Sequence, residues 1–483
     1  MKRVLYFAAA PAVCLALFWR VLFTWFHTDD FDLLWLASTV HDIPTLGYAM
    51  FHPIAQGTVR VLSDRLFYLG LYSLFGVAAV PFRVVILLTW FAALALGAAL
   101  GSKITGSRAA GLLGVLLWTV NKVMVTPLAS APVYEVVLCA LLALAALSSR
   151  ARWLDTRAPA WRASEWIFYI LGFGAQESMV MYPAVATLYT WAVARRDVAK
   201  KAERAVFWLF FPAIVFVLVH AFLIPKLPTE IYRVSVDSRL PATFFMYLRM
   251  AVGPERYASR KVLLPLLAAF ALWKLRRPAS PEFGAALFCL GWFLLWLMPV
   301  LPLPNHITEY YLVIPLAGLA WLGGWAMIAA WRAGWIARAV MAACLALYLA
   351  NAVPAIRNGT AWYLEGTSRM RLAFRGMQEA AFQHPGTIIL FEGVDDDLFQ
   401  MGFQENPFRL AGISRGFLAP GTEKNISVAR QDLGGLSGLT ISEQDALRAI
   451  ENGQAHVLEL ERNGPPRDIT HAYENSLRAR PPR

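Results

Sequence analysis

The chain has 483 residues, of which 58% are hydrophobic and only 16% charged, with a mean hydropathy of +0.50. Such a composition excludes a soluble globular surface for most of the chain, and apolar runs of about 18 residues or more recur along it. The net charge of +12 does not indicate a nucleic-acid partner, because the Lys and Arg are spread over short loops and the tail, where topology and anionic headgroups account for them.

The chain therefore reads as a polytopic helical membrane protein, and its basic loops orient it. Lys2 and Arg3 precede the run Val4 to Phe26, which is too long for a secretory signal and lacks a small-residue cleavage site, so it is expected to be a retained first span with a cytoplasmic N-terminus. Thr28-Asp29-Asp30-Phe31-Asp32 then emerges outside. Residues 27 to 81 form a long outer loop with amphipathic pieces, notably Asp64 to Phe75, that suit helices lying in the interface. Loops of that length tend to be functional.

Phe82 to Leu100 returns inside, where Lys103 and Arg108 flank a turn, and Ala109 to Val125 leaves again. Val133 to Leu147 comes back to a basic loop with Arg150, Arg152, Arg157 and Arg162. Trp166 to Val193 lies between that loop and a second basic one, Arg195 to Arg204, so both its ends are expected in the cytoplasm. Two full spans need about 20 residues each, which predicts two short helices meeting at Gly172 to Ser178, with Gln176 and Glu177 near the tip. Irregular backbone at such depth is tolerated where it lines a cavity.

Val206 to Ile224 leads to a second outer loop, residues 225 to 260, carrying Lys226, Arg233, Arg239, Arg249, Arg256 and Arg260, a charge excess suited to an anionic ligand or to headgroups. Lys261 to Trp273, Phe283 to Leu301, Leu312 to Ala330 and Trp335 to Val353 complete about eleven crossings. The turn Asn305-His306-Ile307-Thr308-Glu309-Tyr310-Tyr311 is expected outside, as is the C-terminal region. Cys14, Cys139, Cys289 and Cys344 all lie in apolar runs and read as packing residues.

Residues 357 to 483 read as a small soluble α/β or α+β domain, after a membrane domain of residues 1 to 356. Thr387 to Phe391 and His456 to Leu460 look like strands, and Ser368 to Phe382 and Ser442 to Glu451 like helices. Asp395-Asp396-Asp397 follows a strand, as either a cation site or an acidic helix start favoured by the dipole.

The outer Thr28-Asp29-Asp30, the loop ending in Leu74-Phe75-Gly76 and Pro81-Phe82-Arg83, Gly174-Ala175-Gln176-Glu177-Ser178 with Pro183, and Ile307 to Pro315 together resemble the C-type membrane glycosyltransferases, particularly the protein O-mannosyltransferase-like branch. The resemblance covers residues 1 to about 356. It departs at Gln176, where relatives have Lys, and at Tyr310, where they often have Arg; the lost cations shift a phosphate-binding role toward Arg60, Arg65 or the basic second outer loop.

The resemblance implies an all-α membrane bundle that transfers a sugar from a polyprenyl-phosphate carrier to an acceptor glycan, lipid or protein, on the extracytoplasmic side of what is expected to be a bacterial inner membrane. Asp29 or Asp30, with Asp30 slightly preferred, would act as general base, supported by Asp32. Arg60, Arg65, Gln176, Glu177, His306, Glu309, Tyr310 and Tyr311 would bind donor or acceptor, and a divalent metal ion, if used, would sit on Asp30, Glu177 or Glu309. Plainer readings stand beside these. Asp29 and Asp30 can be a solvated helix exit, Glu177 a structural hydrogen-bonded residue, His306 and the tyrosines interfacial anchors, and Arg60 and Arg65 snorkelling side chains. A transporter and a non-catalytic protein that binds lipid-linked glycans are the competing function classes.

Overall fold

The computed structural model describes residues 2–53, 57–194, 206–224, 229–253, 259–278, 280–429, 435–462 and 464–479. The second basic loop at Arg195 to Arg204, and Lys226 and Arg256 of the basic outer loop, lie outside them.

Six helical segments are long and apolar enough to cross a membrane: Val4–Phe23, Ala79–Thr105, Tyr134–Thr156, Pro281–Val300, Glu309–Ala333 and Trp335–Gln383. Arg108–Thr119 and Lys122–Ala129 together make a seventh, bent by 62°. The expected eleven or so crossings are not reached by helices of this kind among the described residues. The difference lies in Pro159–Phe173, Tyr182–Ala192, Phe210–Phe222 and Ser259–Lys274, which have 15, 11, 13 and 16 residues. At about 1.5 Å per residue, a helix of that size falls short of a hydrocarbon layer of about 30 Å.

Packing divides the chain into two units. The first comprises Met1–Val21, Phe51–Asp64 and Arg83–Thr360; the second comprises Leu22–Met50, Arg65–Phe82 and Ala361–Arg483. The C-terminal unit thus includes two stretches of the long loop after the first span. The domain boundary expected near residue 356 falls inside the 49-residue helix Trp335–Gln383.

Within the first unit, Arg108–Thr119 lies closely against Val313–Ala333 because glycines face each other. A Cβ on Gly324 would stand 2.4 Å from the Gly114 nitrogen. Small residues permit such backbone approach where lipid supplies no hydrophobic drive for association. The indole N–H groups buried beside this contact are bonded: Trp118 to Val313 O at 2.8 Å, Trp292 to Ile314 O at 2.7 Å and Trp321 to Gly97 O at 3.0 Å. The bend at residues 120–121 is held by Asn121, whose Oδ1 accepts the Val123 N–H at 3.0 Å while its Nδ2 donates to Ala251 O at 2.9 Å.

The predicted hairpin is present as Pro159–Phe173, a 3-10 turn Glu177–Met181 and Tyr182–Ala192. Arg150, expected in a basic loop, lies instead inside the helix Tyr134–Thr156 and is fully buried. It pairs with Glu165 at 2.9 Å and donates to Thr190 at 2.8 Å, and Tyr182 donates to the same Glu165 oxygen at 2.9 Å. This charge ties both arms of the hairpin to the long helix.

The C-terminal unit carries a four-stranded sheet of β1 (Ile388–Glu392), β2 (Arg415–Leu418), β3 (Ala455–Glu459) and β4 (Arg467–Asp468), in the order β2-β1-β3-β4. β1 pairs in parallel with both β2 and β3, and β4 runs antiparallel to β3. The helix Glu443–Glu451 starts where Ser442 accepts the Asp445 N–H at 3.1 Å, and its Ala446, Ala449 and Ile450 join Leu390, Val457 and Leu477 in the core.

Candidate active site

Two polar centres hold most of the residues singled out above, one in each unit.

In the second unit, the chain leaving the first span turns sharply at Thr28. Its φ of +47° is rare for a β-branched residue and marks a constrained turn. The Thr28 N–H donates to Met401 O at 3.1 Å. Gly402 makes the approach possible, since a Cβ there would lie 2.5 Å from the Phe31 ring.

The helix Asp30–Ser38 begins at this turn. Asp30 is completely buried, and both its oxygens accept bonds: Oδ1 from the Tyr68 hydroxyl at 2.5 Å and Oδ2 from the His27 N–H at 2.9 Å. The rings of Trp25, Phe31 and Phe374 pack on one another in the same unit, with Trp25 and Phe374 centroids 5.1 Å apart. Asp29 is exposed.

Asp32 accepts a new neighbour, Glu405, with which it shares a hydrogen bond; Asp29 lies close enough for its charge to act on the same group. Burial, then the Asp32 and Asp29 charges, pushes Glu405 up to about 8. Burial around its carboxyl also raises Asp32, against the Glu405 hydrogen bond and the Arg409 charge, although the residue keeps an exposed edge. Near neutral pH these carboxyls therefore hold a proton between them.

The first unit builds its centre on Arg60. Its guanidinium grips Glu177 through Nε at 2.9 Å and Nη2 at 2.9 Å, contacts Glu135 closely through Nη1, and lies 3.7 Å from Asp64. Gln176 donates weakly to Glu135 at 3.4 Å. The segment Val61–Leu66 is stapled to the hairpin tip, Leu62 N–H to Gly174 O at 2.8 Å and Ser63 Oγ to Ala175 O at 2.8 Å. One positive charge thus faces three carboxylates. Such a centre holds carboxylates in place and is poorly suited to a phosphate.

The turn Glu309–Leu312 meets the same region. Glu309 pairs with Lys122 at 2.5 Å, Tyr310 reaches His306 Nε2 at 3.3 Å, and Tyr311 lies in the electrostatic range of Arg60. Gln176, Ser178, Tyr310 and Tyr311 line one narrow cavity. The hairpin tip and the late turn are therefore brought together, along with Arg60.

Other expectations fare differently. Arg65 is 1% exposed, so it does not snorkel. In the basic outer loop, Arg239 pairs with Asp237 at 2.8 Å, Arg233 lies 3.5 Å from Glu230, and Arg260 donates to Gly253 O at 3.0 Å. Asp395 caps the helix Asp396–Gln400 and pairs with Arg369 at 2.7 Å, the acidic helix start. Asp30, Glu177 and Glu309, weighed as metal ligands, each already accept protein donors. Sequence reasoning missed Glu135, Lys122, Tyr68 and Glu405. Glu135 and Lys122 carried a signal, a charge at the edge of an apolar run; Tyr68 and Glu405 carried none.

Fold, apolar spans and buried charges define an integral membrane protein of the polytopic helical class, with a small α/β sheet in its C-terminal region. No protein-family model and no curated protein matches the chain. Among solved structures, the chain is similar to the crystal structure of ArnT from Cupriavidus metallidurans bound to undecaprenyl phosphate, with a TM-score of 0.45 and 13% sequence identity over 95% of this chain and 93% of that one.

Proposed function

We propose that this protein is a C-type membrane glycosyltransferase that moves a sugar from a polyprenyl-phosphate donor to an acceptor hydroxyl on the extracytoplasmic side, with the N-terminus in the cytoplasm. The observation that carries the reading is the Thr28 to Asp32 turn. A strained backbone, a fully buried carboxylate with two donors and an exposed carboxylate beside it are assembled where the chain leaves its first apolar span. Buried ionisable groups and backbone strain cluster at functional sites.

In this reading Asp29 takes the acceptor proton as the acceptor oxygen bonds to the anomeric carbon and the bond from that carbon to the phosphate breaks. Asp30, with no exposed surface, orients the turn. The leaving polyprenyl phosphate needs positive charge. In the first unit Arg60 is committed to three carboxylates, whereas the pair of Lys122 with Glu309 is partly exposed, at 38% and 31%. There, Glu177 is held by Arg60 and Glu309 by Lys122, while Gln176, Tyr310 and Tyr311 line a narrow cavity.

Transfer from a panel of polyprenyl-phosphate hexoses and pentoses by the purified protein tests this. Asp29→Asn is expected to lose activity by about 100-fold or more, the range for a removed general base. Full activity in Asp29→Asn, Asp30→Asn and Glu177→Gln together would overturn it.

One observation favours a second reading. The first unit contains two broken segments, at residues 120–121 and 174–176, and transporters place substrate at paired helix breaks. Substrate counterflow in proteoliposomes, unchanged by Asp29→Asn, would support it.

A further inference from the structure

We infer that His384, His456 and Asp468 in the C-terminal unit form a binding site for a divalent transition metal, Zn2+ by ligand type, independent of the sugar-transfer reading. Each offers one ligand atom, and these atoms all lie within 4.8 Å of one another. Asp468 Oδ2 stands 3.4 Å from His384 Nε2 and 3.7 Å from His456 Nδ1. Zinc bonds of about 2.0–2.2 Å in tetrahedral geometry separate ligand atoms by about 3.3 Å. Those two spacings are near the ligand separation of a tetrahedral zinc site with one position open, and the imidazole nitrogens lie within 4.8 Å of each other.

Three elements bring the ligands together. His384 follows the last turn of the helix Trp335–Gln383, His456 sits on β3 and Asp468 on the paired strand β4. The carboxylate is aimed by its neighbours. Thr470 donates to Asp468 Oδ1 from its N–H at 2.8 Å and its hydroxyl at 2.5 Å, and that hydroxyl accepts the Val457 N–H at 2.9 Å. Oδ1 is thus occupied and Oδ2 faces the imidazoles, the outer-shell arrangement that orients a ligating carboxylate.

The two imidazoles stack with centroids 3.5 Å apart and planes 18° apart. Two imidazolium ions would repel at that distance, whereas two neutral rings sharing one cation would not. Coordination requires one ring to tilt out of the stack. The cluster opens on a cavity of about 150 Å³ also lined by Glu379, Gln383 and Pro466, which leaves room for a fourth ligand, water or Glu379. Nitrogen and oxygen donors in this number suit Zn2+ over Mg2+ or Ca2+, which prefer all-oxygen shells.

The test uses the tag-free, full-length protein in detergent, stripped with chelator, loaded with Zn2+ and desalted. Wild type is expected to keep about one equivalent that the His384→Ala/His456→Ala double variant loses. Thr470→Val, which removes no ligand, is expected to weaken binding by about 10- to 100-fold. X-ray absorption of the zinc-loaded wild type, which depends on no variant folding, is expected to show two imidazole nitrogens. Equal retention in wild type and the double variant, or a zinc shell without imidazole, would overturn the proposal.

Discussion

The Tyr68 hydroxyl donates to Asp30 Oδ1 at 2.5 Å, in a pocket where both side chains are essentially inaccessible to solvent. The contact joins the turn after the first span to a helix 38 residues later. It satisfies half of a carboxylate that would otherwise be costly to bury.

Tyr68→Phe leaves that oxygen without its donor and keeps the ring. Loss of one partner from a buried bond costs about 1–3 kcal/mol. A fall in stability of that size is expected in denaturant unfolding, together with reduced transfer, since the turn bearing Asp29 loosens. Stability and activity both unchanged would mean that the bond does not hold the turn.

Glu405 gives the C-terminal unit a pH dependence of predictable sign. Its folded value is raised to about 8 from the ordinary 4.5, so the folded state holds its proton more tightly than the unfolded chain does. The resulting stabilisation is full below about pH 4.5 and is lost as pH rises toward about 8. Asp32, also raised, acts in the same direction. Glu405→Gln is expected to flatten this decline, so that the variant gains on wild type as pH rises; melting temperatures across the range check it, and parallel profiles would contradict it.

Arg60 pairs with both Glu135 and Glu177. Arg60→Ala strands two carboxylates, one nearly buried, and breaking a buried pair by removing one partner costs about 3–5 kcal/mol. Adding Glu135→Gln and Glu177→Gln removes the stranded charges and is expected to recover part of the loss. Unfolding in detergent of the single and triple variants measures it. A triple variant worse than Arg60→Ala would show that the carboxylates do more than balance Arg60.

Much of the architecture was legible because it rests on local pattern. Apolar length marks the long spans, two basic flanks too close together mark the short hairpin, and the Ser442 start and the runs at 387–391 and 456–460 mark elements of the C-terminal sheet region. Asp29 and Asp30 stood out because charge is conspicuous after an apolar run. Arg150 misled for the same reason: its charge resembled a loop, and only the buried Glu165 on the next helix explains it. The crossing number rests on four shorter apolar helices, whose length does not by itself mark them as full spans.

By itself, the sequence determined that the chain belongs in a membrane, where its long apolar helices run and which acidic turn interrupts them, since hydropathy and helix length are properties of contiguous residues. Tertiary structure decided that Arg60 meets a glutamate 117 positions away, that Asp30 is buried under Tyr68 while Asp29 is exposed, that Glu405 joins Asp32, and that His384 stacks on His456. Those pairings depend on long-range packing, which places side chains by the fit of whole elements and leaves no local trace in the chain.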